Sequence, residues 1–188
     1  MSDSLEAVEL WNTFRRGDRQ AFGCLSSLFY QPLFNYGTKL CENQELVEDC
    51  IQDLFLDLWR RREYIGHTDH VKFYLLKSLR RKIFLEKRTR EKWISAQGEL
   101  ENSLEFVGDF SVEARIISSE TDSFRLKKLQ QILERLSKRQ REVIYLKFYQ
   151  ELDYEQISTI MSITYQSARN LVHTAIRDLQ NAWFSNKV

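Results

Sequence analysis

Asp153-Tyr-Glu-Gln-Ile-Ser-Thr-Ile-Met161, Ser162-Ile163-Thr164 and Tyr165-Gln-Ser-Ala-Arg-Asn-Leu-Val-His-Thr-Ala-Ile-Arg-Asp-Leu179 follow one another without a gap. Asp153 with Gln156 three residues on is a capping-box pattern that opens a short helix. Ile157, Ile160 and Met161 recur at helical spacing and give that helix one apolar side. Ser162-Ile163-Thr164 is a tight break, and Thr164 is placed to cap the next helix. There Ala168, Leu171, Val172, Ala175 and Leu179 form one stripe, and its two alanines let another helix approach closely. The opposite side carries Gln166, Asn170, His173, Thr174 and Arg177, with Ser167 and Arg169 on its edges. Side chains of these types donate to phosphate and to base edges in a major groove. The pattern is that of a helix-turn-helix. A plain helical hairpin with a wet face has the same pattern.

Immediately upstream, Ser137 with Gln140 is a second capping box. The helix it opens offers Val143, Ile144, Leu146 and Phe148 to a core, and Leu126, Leu129, Ile132, Leu133 and Leu136 form the stripe before it. Residues 93–122 change character, with Gly98, Gly108 and several Ser among acidic residues. They read as a flexible acidic linker in which Leu100, Leu104, Phe106, Val107 and Phe110 can dock transiently.

Residues 71–92 read as a basic helix with Leu76, Leu79 and Ile83 inward and Tyr74, Lys77, Ser78, Arg81, Lys82 and Arg88 outward. Cations interleaved with an aromatic suit a nucleic-acid backbone and an unstacked base, and a solvated basic face is the plainer reading. In the preceding loop Asp69 reads as a helix cap, and His67 and His70 lack the further ligands a metal needs. Residues 44–62 read as a helix with Ile51, Leu54, Phe55 and Leu58 buried and Cys50 and Trp59 at the borders. Its other face holds Asp49, Gln52, Asp53, Leu56, Asp57 and Arg60. A leucine ringed by carboxylates suits a protein contact with a small apolar anchor and a polar rim. Nearer the start, residues 4–16 offer Leu5, Val8, Leu10, Trp11 and Phe14 as core. A helix over about 19–30 follows, capped by Asp18 and presenting Phe22, Leu25, Phe29 and Tyr30, and Pro32 is expected to start a fresh turn.

The net charge of +1 hides segregation. Lys and Arg against Asp and Glu number 4 and 10 in residues 1–59, 12 and 4 in 60–92, 1 and 7 in 93–122, and 11 and 6 in 123–188. Two basic blocks parted by an acidic one point to two places that meet a polyanion. Cys24, Cys41 and Cys50 are an odd set without Cys-x-x-Cys, which fits thiols in a reducing compartment. The start shows no secretory pattern and no apolar run approaches the ~20 residues that span a bilayer, so a cytoplasmic protein without membrane insertion is expected. One Pro, six Gly and abundant helix formers favour an all-α chain. The expected domains are residues 1–92 and 123–188, joined by the 93–122 linker.

Three stretches resemble bacterial RNA polymerase sigma factors of the extracytoplasmic-function (ECF) group, in the sigma-70 superfamily. Asp49-x-x-Gln52-Asp53-x-Phe55-x-x-x-Trp59 is similar to the family's region 2.2. The resemblance implies that Asp49, Gln52, Asp53, Leu56 and Trp59 meet the polymerase β′ clamp. Tyr74-Leu-Leu-Lys-Ser78 through Arg88 is similar to regions 2.3 and 2.4, which open the −10 promoter element and hold a flipped base. The family usually has Asn where Arg81 stands. Leu136-Ser-Lys-Arg-Gln-Arg-Glu-Val143, with the helix-turn-helix, is similar to region 4, which reads the −35 element. This implies DNA contacts from Gln166, Ser167, Arg169, Asn170, His173 and Arg177. The partners implied are core RNA polymerase (β′ clamp and β subunit), promoter DNA and an anti-sigma factor, with no cofactor, no metal and no catalysis.

Two other readings compete. A transcriptional regulator would join the same helix-turn-helix to an N-terminal sensing or dimerisation domain. A helical enzyme acting on nucleic acid would need metal-spaced carboxylates, a P-loop or a nucleophile motif, and the sequence displays none.

Overall fold

The computed structural model describes residues 5–94, 106 and 120–185. The chain divides into two compact units, Met1–Leu104 and Glu105–Val188. Every regular element among the described residues is helical.

The first unit holds α1 (Leu5–Arg15), α2 (Arg19–Leu40), α3 (Gln44–Arg60) and α4 (Val71–Ile94). Asp18 caps α2 by accepting from the Ala21 N–H at 2.8 Å, and Asn43 caps α3 by accepting from the Leu46 N–H at 2.9 Å. Leu25, Phe29, Leu33, Tyr36 and Leu40 form a buried stripe along α2, which packs against the other three helices. Gly37 lies where α2, α3 and α4 converge, and a Cβ there would stand 2.5 Å from Val47 Cγ1 and 3.4 Å from Ile83 Cδ1.

Pro32 does not start a new turn, because α2 runs through it unbroken. An interior proline costs about 3 kcal/mol. Burial of the long stripe outweighs that cost. Leu28, four residues before the proline, is 42% exposed, so this part of α2 faces water. In α1 the core residues are Ala7, Trp11 and Phe14, whereas Leu5 is 84% exposed at the helix end. Tyr30 is also exposed, at 39%. Asp69 makes no cap. It lies 3.4 Å from His67 Nε2, and the Thr68 hydroxyl accepts from the His70 N–H at 3.1 Å.

The second unit holds α5 (Glu120–Glu134), α6 (Lys138–Ile144), a π-turn (Tyr145–Tyr149), α7 (Tyr154–Met161) and α8 (Tyr165–Ser185). Both capping boxes form, at Ser137/Gln140 and at Asp153/Gln156. Gln140 also donates to Asp178 Oδ2 at 2.7 Å, which ties the start of α6 to α8. Lys128 donates to the Trp183 carbonyl at 3.0 Å and lies over the Trp183 ring, which joins α5 to α8.

Phe148 is not a core residue, being 56% exposed. The π-turn takes more residues per turn than an α-helix, so a side chain four positions after Ile144 no longer falls on the same face. Phe106 is 1% exposed and packs its ring 5.7 Å from that of Tyr145. Leu100, Leu104, Val107 and Phe110, and the side chain of Leu126, lie outside the described residues.

Candidate nucleic-acid interface

Helix α8 owes its exposed face to the turn before it. Ser162 adopts φ +55° at the end of α7, and the Ile163 N–H closes back onto the Ser158 carbonyl at 3.0 Å. Thr164 then accepts from the Ser167 N–H at 3.1 Å, so the predicted cap forms. Ala168, Val172 and Ala175 are buried beneath α8. Gln166, Ser167, Arg169, Asn170, His173 and Arg177 are all exposed. Two of the six are already fixed relative to each other, because Gln166 Nε2 donates to Asn170 Oδ1 at 2.8 Å. Ser167 is committed locally, with its hydroxyl 2.8 Å from that of Thr164.

In the first unit the basic face of α4 divides. Lys77, Arg81 and Arg88 are exposed. Tyr74 is half-buried and meets Trp11 edge-on with ring centres 5.2 Å apart. Trp11 in turn donates to the Gly66 carbonyl at 3.1 Å, so one aromatic pair fixes both α4 and the loop before it. Arg15 holds the same loop by donating to the Ile65 carbonyl at 2.6 Å. Lys82 does not project freely. Its Nζ pairs with Asp57 Oδ2 on α3 at 2.7 Å. The hydrogen bond from Lys82 holds the Asp57 carboxyl below the usual carboxylate range, against a smaller opposing effect of burial.

Between α3 and α4 lies a cleft of about 350 Å³. Tyr74, Ser78, Arg81 and Lys82 line it from α4, and Asp57 and Arg61 from the end of α3. Asp57 and Arg61 share this cleft with α4 residues and are not among the site residues expected from the sequence. The signal was present in the Arg60-Arg61-Arg62 run, but its folding back beside α4 depends on the 61–70 loop.

On α3, Asp49, Gln52, Asp53 and Leu56 are exposed along one face, Leu56 at 51%. Trp59 is different. It packs against Phe22 at 5.1 Å and is covered by Arg62, 4.8 Å from its ring centre, so it supports that face from the edge.

Residues 126–179 match the family Sigma-70, region 4. That family is what this stretch of the chain is similar to. Across the whole chain the fold is similar to that of CnrH, solved in complex with the cytosolic domain of CnrY. The TM-score is 0.58 at 14% identity, over 97% of this chain and 99% of that one. It is also similar to the sigma factor RpoE from Bartonella quintana, solved with the anti-sigma factor NepR. There the TM-score is 0.55 at 22% identity, over 85% of this chain and 94% of that one. No curated protein matches the sequence significantly. The expected all-α class is borne out among the described residues, and the expected likeness to sigma-70 proteins is supported by the region 4 match and by the similar folds.

Proposed function

We propose that this protein is an ECF-type sigma factor, which binds core RNA polymerase and directs promoter-specific initiation. The observation that carries the reading is the region 4 helix α8, whose six polar residues are exposed together on a rigid, doubly capped scaffold. In this reading Arg169, Arg177 and His173 meet phosphate and base edges of the −35 element. The α4 face and its cleft act at the −10 element, where an unstacked base enters between α3 and α4. The Asp49–Leu56 face, with Leu56 as anchor, fastens the protein to the polymerase β′ clamp, and the region 4 unit adds a contact with the β subunit.

Neither reader needs high affinity alone. Phosphate contacts are salt-sensitive and weakly selective. Holding two such readers on one polymerase raises the effective concentration of each for a promoter. Unstacking costs a few kcal/mol per base step, and trapping the extruded base offsets part of it. The protein therefore works by recognition and carries no catalytic step. An anti-sigma factor belongs among its partners, because RpoE of like fold is bound to one. Among the described residues no helix is long and apolar enough to cross a membrane. We place the protein in the cytoplasm, where polymerase is.

Transcription in vitro with core polymerase tests the reading. Full-length protein should stimulate specific initiation on promoters of its own genome, and Asp49→Lys with Asp53→Lys should abolish co-elution with core enzyme. Duplex binding by the isolated protein with no affinity for polymerase would instead establish the helix-turn-helix regulator.

A further inference from the structure

The cleft between α3 and α4 has apolar and charged walls whose chemistry is unequal. Leu58 and Leu85 offer apolar surface to a flat ring, and the half-buried Tyr74 and Ser78 stand beside them. The cations of the cleft are not equivalent. Lys82 is engaged with Asp57 Oδ2 at 2.7 Å, which takes one oxygen of the one carboxylate in the cleft. Arg81 is exposed, and among the described residues nothing hydrogen-bonds or ion-pairs with its guanidinium. Arg61 adds a second guanidinium from the α3 side. The cleft therefore offers more charged donors than charged acceptors, and one oxygen of its carboxylate is already taken.

We infer that this cleft selects guanine as the extruded base, with Arg81 donating two parallel N–H bonds to its O6 and N7. The inference rests on the sigma-factor reading above. Guanine presents two adjacent acceptors on one edge, which the planar fork of an arginine matches bidentately. Adenine sets an amino donor beside N7 on the same edge, and cytosine, whose O2 and N3 also accept, has a single ring that covers less of the apolar wall. Thymine offers one carbonyl beside a methyl group. A base held out of the stack exposes that edge to side chains. A free phosphate would draw on the same donors but would leave the apolar surface of the cleft uncovered, so a base is the fuller occupant. The Lys82–Asp57 pair has a positioning role, because it braces α4 against α3 beside Arg81.

The test is transcription by full-length protein with core RNA polymerase on a promoter library randomised across the −10 element, with sequencing of the templates used. The native protein should enrich guanine at one position by about tenfold or more. Arg81→Ala and Arg81→Lys should each reduce that preference to within about twofold of neutral while the other positions keep theirs. The lysine variant separates bidentate reading from mere charge, and circular dichroism confirms that both variants fold. Selection of another base, or guanine preference surviving in Arg81→Ala, overturns the assignment and leaves the sigma reading standing. Transcription from no template overturns both.

Discussion

Lys82 on α4 and Asp57 on α3 form an ion pair of 2.7 Å in which the lysine side chain is 27% exposed and the carboxylate 46%. A residue from the basic block and one from the acidic block thus neutralise each other inside a single unit. Their coupling should be modest, about 0.2–1 kcal/mol, because water screens the carboxylate. Asp57→Asn, Lys82→Met and the double variant, unfolded in urea, measure it. The carboxyl is held below its ordinary range, so this contribution is present above the ordinary carboxylate range and fades as pH falls through the depressed value. The coupling should be constant from pH 7 down to about 5 and vanish in stronger acid.

Gly37→Ala should destabilise the first unit by about 1–2 kcal/mol, even though alanine is the better helix former. The added Cβ would stand 2.5 Å from a Val47 methyl, and Val47 is fully buried. Thermal unfolding reads the loss. Val47→Ala in the same chain should recover part of it by making room.

Asp153→Ala should cost the second unit about 1 kcal/mol, since the carboxylate accepts from the Gln156 N–H at 2.8 Å and no other cap replaces it. Binding to a −35 duplex should weaken while the dependence of log Kd on log salt stays the same, because no phosphate contact is lost. Arg169→Ala should do the reverse and lower that slope by about one with no change in Tm.

Alkylation of the native protein should mark Cys24 alone. Cys24 is exposed, whereas Cys41 and Cys50 are buried. Burial pushes the Cys50 thiol up to about 11, so at pH 8 only about one molecule in a thousand carries the reactive thiolate there. Mass spectrometry after iodoacetamide should show one adduct in buffer and three in denaturant.

Much of this architecture is legible from local chemistry. Ser137/Gln140, Asp153/Gln156, Asp18 and Thr164 cap as read, because a cap needs only a side chain and a backbone a few residues apart. The six α8 residues are exposed as expected, since amphipathic periodicity reports the face directly. What escaped depends on contacts distant in sequence. Pro32 survives inside α2 because three other helices bury its stripe. The π-turn that exposes Phe148 has no sequence signature in Tyr145–Tyr149. The pairing of Lys82 with Asp57 requires α3 and α4 to lie side by side, which neither helix encodes alone.

Because Phe106 is sealed against Tyr145, the carboxy-terminal unit owns a piece of chain that precedes its first described helix. Chimeras that graft this helix-turn-helix unit onto another protein should place the seam upstream of Phe106. A graft begun at Ser123 would carry an open socket beside the π-turn and aggregate or melt early.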